Sequence, residues 1–194
     1  MKSGLQLGVN SETKREPEDF YATYPKALEI FLDKLSQDNI VLNHQVWECA
    51  CGQGHLAKVL IDRGFIVNAT DLVDRGYGVG DIDFLGDIPQ NHFMNDCDIL
   101  TNPPFNLAEK FVEKSMEILK PGNKLFLFLK IQFLEGQKRK ELFKKYPPKY
   151  LYCYSARQLC SRNGEFDKYM ATTQFYAWYV WEKGFVGEPI IRWI

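Results

Sequence analysis

The stretch QVWECACGQGHLAKVLIDRGFIVNATD, residues 45–71, decides the fold. QVWEC reads as a short buried strand, GHLAKVLIDR as a helix over 54–63, and FIVNAT as a second strand ending at Asp71. Between strand and helix lies Gly52-Gln53-Gly54, where the missing Cβ atoms let backbone approach a ligand at a strand's carboxyl end and a helix's amino end. Gly52, Gly54 and Ala57 satisfy G-x-G-x-x-A, and Asp71 follows at the distance where an acid meets a ribose hydroxyl. Three readings stay open on this stretch alone: a nucleotide-type cofactor loop, a dinucleotide-binding module, or a turn that needs glycine only for its φ angles.

Outward from it, apolar runs continue to alternate with helical patterns. Upstream, PKALEIFLDKLSQ predicts a helix over 25–37. Downstream, strand-like pieces fall at 82–85, at DILT (98–101) and at KLFLFLK (124–130), with the helix LAEKFVEKSMEILK between the last two. This alternation predicts an α/β, doubly wound, mostly parallel sheet. The end departs from it: YLYCYS and TTQFYAWYVWEK both read as strands with no convincing helix between them, which predicts an antiparallel pair at one edge of the sheet. No repeat or linker divides residues 1–194, so one domain is expected, with a polar, mobile tail over 1–17.

Composition narrows the classes. At 194 residues and 45% hydrophobic the chain can bury a full core. It contains no apolar run of membrane-spanning length and begins without a signal-like segment, so a cytoplasmic protein is expected. Its five cysteines make no C-x-x-C pair, so they read as reduced, buried small hydrophobes and no metal is expected. A net charge of −1 is silent about nucleic acid, but KRKELFKKYPPK (138–149) is locally basic, opposed only by Glu141. That segment, with Lys144 and Lys145, is either a phosphate contact or the solvated face of a helix burying Leu142, Phe143 and Tyr146.

The chemistry concentrates in TNPPF, residues 101–105, directly after DILT and hence at the same edge of the sheet as the glycine turn. Asn102 offers a carboxamide oxygen, and Pro103 and Pro104 hold a stiff frame with carbonyls and no N–H. Acceptors so placed can take the hydrogens of an exocyclic amino group, aim its lone pair and stabilise the positive charge it develops. Phe105 can stack on the planar ring that carries the amine. A turn closing a buried strand would explain the prolines but not Asn102 and Phe105 on either side of them.

Together these residues resemble the class I S-adenosylmethionine-dependent amino-methyltransferases, above all the N6-adenine DNA methyltransferases of phages and prophages. DFYATYPKALEIFL looks like the methionine-contacting motif, with Thr23 and Pro25 at its Thr-Pro-Pro positions and Tyr24 in place of the first proline. ECACGQGHLA looks like the cofactor loop, with Glu48, Ala50, Gly52 and Gly54 as its contacts, although Cys49 or Ala50 stands where the first glycine is usual. ATDLVD implies that Asp71 binds the ribose and Leu72 packs near the adenine, and DIDFLGD gives Asp83 and Phe84 an adenine-contacting role. NPPF is similar to the catalytic motif, which is shared with glutamine-N5 and some RNA amino-methyltransferases, and the motif order is that of the gamma class.

The resemblance implies S-adenosyl-L-methionine as cofactor and DNA as partner, with an adenine flipped out, stacked on Phe105 and methylated at N6 without a dedicated base. None of the histidines then needs a catalytic role; only His55, beside the glycine loop, stands as a cofactor neighbour. Methylation of RNA or of a protein glutamine amide is the alternative, and a dinucleotide-binding module without methyl transfer ranks lower, because it has no use for prolines framing an amine. The chain left over for substrate recognition is 146–171, where Arg157, Gln158, Arg162, Asn163 and Lys168 could read bases or hold phosphates. A polar surface loop would look the same.

Overall fold

The computed structural model describes residues 21–92, 96–137, 139–158, 160–162 and 174–194. Its elements are β1 (Tyr21–Thr23), α1 (Pro25–Gln37), β2 (Gln45–Glu48), α2 (His55–Asp62), β3 (Ile66–Ala69), β4 (Asp98–Thr101), α3 (Ala108–Ile118), β5 (Lys124–Lys130), α4 (Arg139–Lys145), β6 (Tyr150–Cys153), β7 (Cys160–Arg162), β8 (Tyr176–Glu182) and β9 (Ile190–Trp193).

Seven strands form one sheet in the order β3-β2-β4-β5-β8-β6-β9. β3, β2, β4 and β5 run parallel, while β8 inserts antiparallel to both β5 and β6. Chain order reverses direction across the sheet between β2 and β4, since β3 lies outside β2 on the other side. A crevice opens at such a switch point, at the carboxyl ends of the strands.

Strand alternation builds a core on each face. Leu125, Leu127 and Leu129 of β5 join Trp47, Ile99, Tyr179 and Trp181 beneath α3 and α4. Phe126 and Phe128 join Val46, Leu100, Tyr152 and Trp178 beneath α1 and α2. Pro25 opens α1 at a position where its missing N–H costs nothing, and the helix buries Ala27, Leu28, Phe31, Leu32 and Leu35 at helical spacing. Each fully buried Leu or Phe contributes about 1.5–3 kcal/mol, so this face holds α1 on the sheet. The Phe31 ring lies flat on Trp178, with centroids 4.7 Å apart.

The structure departs from the sequence reading in three places. The strand expected at 82–85 is absent. Ile82 and Phe84 are buried in strand-like alternation, but Asp83 accepts the Leu85 N–H at 2.9 Å and the segment closes into a turn. The antiparallel pair at the C-terminal end forms as β6 and β8, yet β9 continues the sheet beyond it, parallel to β6. A separate two-stranded ladder joins β1 to β7, opposing Tyr21 to Arg162 and Thr23 to Cys160. No helix among the described residues is long and apolar enough to cross a membrane.

Candidate active site

An open cleft lies at the switch point. Three strand ends supply its walls: Glu48, Cys49, Ala50 and Cys51 after β2, Asp71 and Leu72 after β3, and Asn102 and Pro104 after β4. The short strand β1 adds Tyr21, Ala22 and Thr23, and the 82–85 turn adds Asp83 and Phe84.

Asn102 is fixed from one side only. Its Nδ2 donates to the Tyr21 carbonyl at 2.7 Å, which sets the rotamer and tells nitrogen from oxygen. Its Oδ1 is buried and has no hydrogen-bond partner among the described residues. The amide therefore holds a buried acceptor with unused hydrogen-bonding capacity among the described residues. Pro104 lines the cleft and its carbonyl accepts the Leu107 N–H at 2.9 Å, while Pro103 is buried and is not among the lining residues. Phe105 does not line the cleft. It packs in an aromatic cluster, 6.1 Å from the ring of Tyr21, which does line the cleft, and 6.0 Å from the Tyr176 ring.

The glycine turn is organised by its own chain. Asp71 accepts the Gly52 N–H at 2.7 Å and the Val73 N–H at 2.9 Å, tying the first turn to the end of β3. Gly52 and Gly54 have φ of 54° and 78°, in the region that favours glycine. Neither lines the cleft, and a Cβ on Gly54 would sit 2.3 Å from the Tyr77 ring, which covers this glycine from the loop after β3. Lys58 lies over the other part of that ring, 5.0 Å from its centroid.

Glu48 is 2% exposed. Burial pushes its carboxyl well above the usual carboxylate range; the Ala57 N–H opposes this and the nearby Asp71 adds to it. Its Oε2, like the Thr23 hydroxyl, is buried with no hydrogen-bond partner among the described residues. Burial also lowers the His55 pKa, with Lys58 adding to the effect, and His55 lines the cleft. The Cys51 and Cys97 thiols are pushed up to about 12 by burial, which makes them poor nucleophiles.

The remaining sequence candidates fall elsewhere. Pro25 starts α1 and does not reach the cleft. Lys144 pairs with Glu141 at 2.7 Å, and Lys145 lies 4.9 Å over the Tyr146 ring. Arg157 is exposed beyond β6. Arg162 is placed by its backbone beside Tyr21, while Asn163 and Lys168 lie outside the described residues. The sequence reading missed Tyr21, whose contribution to Asn102 is a backbone carbonyl and carries no residue signature. It also missed Arg75 on the cleft wall and Tyr77 over Gly54.

No protein-family model matches the chain, and no curated protein is significantly similar to it. Solved structures do share its fold. A protein from Listeria monocytogenes assigned as a class I S-adenosylmethionine-dependent methyltransferase superposes with a TM-score of 0.61 at 15% identity, covering 89% of this chain and 65% of that one. One from Pyrococcus horikoshii assigned as an RNA methyltransferase gives 0.60 at 13% identity, covering 88% and 92%. A modification subunit of a type I restriction enzyme assigned in Vibrio vulnificus YJ016 gives 0.56 at 14% identity, covering 90% and 47%. The chain thus spans just under two thirds of the Listeria protein and about half of the Vibrio one. It has the Rossmann-like fold of class I methyltransferases.

Proposed function

We propose that this chain transfers a methyl group from S-adenosyl-L-methionine to the N6 amino group of adenine in DNA. The observation that carries the reading is Asn102 on the cleft wall: an amide held by the Tyr21 carbonyl, with a buried Oδ1 that has no hydrogen-bond partner among the described residues. A buried acceptor left open in this way costs free energy unless a ligand donor fills it.

The cleft residues suit the cofactor. Thr23 and Glu48 hold unsatisfied oxygens for its polar methionine end, Asp71 stands where a ribose diol is met, and Leu72, Asp83 and Phe84 flank a site for its adenine. When bound, S-adenosylmethionine supplies an electrophilic methyl group on a sulfonium that leaves as a neutral thioether. Asn102 Oδ1 and the Pro103 carbonyl accept the two hydrogens of the target amine, which turns its lone pair out of the ring plane and toward the cleft. As the nitrogen becomes cationic both acceptors strengthen, so their stabilisation is larger in the transition state than before it. The nitrogen's proton then passes to solvent, and no side chain need act as base. Phe105 offers the ring on which the target base stacks.

An RNA adenine or a protein glutamine amide presents the same NH2 to the same acceptors and is the second reading. The fold shared with the Pyrococcus protein keeps RNA in view. The deciding experiment is transfer of labelled methyl to unmethylated DNA, RNA and a bacterial protein extract in parallel, with mass analysis of the product. N6-methyladenine in DNA is expected; label only in RNA or protein would overturn the DNA assignment.

A further inference from the structure

The last residue of β5, Lys130, occupies an unexpected place. Alternation along the strand puts Phe126, Phe128 and Lys130 on one face, and Phe126 and Phe128 are core residues there. Lys130 is paired across the ladder with Tyr176, and its half-buried ammonium lies 4.7 Å over the Phe105 ring. No carboxylate among the described residues forms an ion pair with it. Its backbone is held by the Tyr179 hydroxyl, which donates to the Lys130 carbonyl at 3.2 Å. The chain therefore carries a cation without an acid partner onto the very ring that the proposed function gives to the substrate.

A planar ring stacking on that face of Phe105 must displace the ammonium. Its flexible stem keeps the charge at the rim of the displacing ring. An anion attached to that ring would restore what the ammonium loses when it leaves the Phe105 face. A glutamine amide in a protein brings no such anion; a nucleotide brings one on its sugar. Resting on the methyl-transfer reading of this site, we infer that Lys130 is a substrate-specificity residue that binds the phosphate of the nucleotide whose base stacks on Phe105.

The test is calorimetric binding of adenosine 5′-monophosphate and of adenosine to protein saturated with S-adenosylhomocysteine. Wild type binds the monophosphate about tenfold more tightly, in line with a charged hydrogen bond. Lys130→Gln brings the ratio close to one and Lys130→Arg keeps it, with S-adenosylhomocysteine affinity equal in all three as a check on folding. Equal affinities in the wild type, a ratio retained in Lys130→Gln, or no binding of either compound overturns the inference. A duplex arm separates the two sources of phosphate. With DNA, Lys130→Gln lowers the slope of log affinity against log salt by about one; an unchanged slope beside a lost ratio assigns the site to a free nucleotide. Wild-type protein that prefers the monophosphate yet leaves no methyl in DNA would keep this inference and sink the DNA reading.

Discussion

The two walls of the cleft treat their polar groups in opposite ways. On the wall after β3, Asp71 spends an oxygen on each of two backbone N–H groups and Asp83 spends one on Leu85, while Tyr77 closes over Gly54. On the wall after β4, Asn102 Oδ1 is buried without a hydrogen-bond partner among the described residues, and so is the hydroxyl of Thr23 in β1. The first wall is assembled by the chain's own hydrogen bonds and stands without ligand. The second is held in position by the Tyr21 carbonyl and leaves polar atoms unsatisfied among the described residues. Self-satisfied groups serve stability and shape; groups held open at a cost serve chemistry.

Truncation should separate the walls most sharply at Asn102. Asn102→Ala is expected to lower turnover by roughly 10²–10³, the scale found on removing one transition-state hydrogen bond, with the cofactor's dissociation constant nearly unchanged and a loss of stability of about 1 kcal/mol from the lost Tyr21 bond. Single-turnover methyl transfer and cofactor titration check it. Turnover close to wild type would mean that the open acceptor has no part in the reaction.

Asp71→Ala should behave the other way. Removing the carboxylate strands the Gly52 and Val73 N–H groups, at a cost of about 1–3 kcal/mol each where they are buried. Denaturant unfolding is expected to show that loss without any ligand, and cofactor affinity to fall with it. If stability is kept while affinity alone falls, Asp71 belongs with the open wall and the contrast is wrong.

These differences also track what the sequence could reveal. α1, β4 and β5 are legible because their periods are sustained and their faces apolar. Asn102 and Asp71 are legible because a strand end followed by a special residue type is a local pattern. β1 and β7 are three residues each, too short for a period, and only their pairing with each other makes them strands. The 82–85 segment misleads for the opposite reason: two buried residues in alternation imitate a strand that Asp83 turns back on itself. Tyr77 over Gly54 and Lys130 over Phe105 are contacts between segments distant in the chain, which no local pattern announces.

Glu48, at the end of β2, belongs to neither of those walls and is likewise buried with an oxygen unpaired among the described residues, and pH exposes it. Its folded pKa is raised by burial while the unfolded chain has the ordinary value. Below that ordinary value both states are protonated and Glu48 costs nothing. As pH rises through the window up to the folded value, the unfolded state ionises first and the native state loses stability. Glu48→Gln removes this loss, so without cofactor its stability advantage should grow as pH rises above the ordinary carboxylate value. Paired melts from pH 4 to pH 8 read it directly; a constant offset would show that Glu48 ionises normally.

The smallest effect is expected outside the cleft, on α4. Lys144 already has Glu141 and Lys145 already lies over Tyr146, so neither ammonium is held without a neighbour as Lys130 is held without an acid partner. Exposed pairs of this kind hold their charges weakly and can exchange them for phosphate. Reversing both, Lys144→Glu with Lys145→Glu, is therefore expected to reduce the salt slope of DNA binding by no more than about one, where two full phosphate contacts would remove about 1.8. It should leave untouched the preference for adenosine 5′-monophosphate over adenosine, because neither ammonium lies over the Phe105 ring as that of Lys130 does. A drop near two would make α4 a principal nucleic-acid surface. An altered monophosphate preference would instead mean that α4 reaches the bound nucleotide, and that charge around the Asn102 wall is not confined to Lys130.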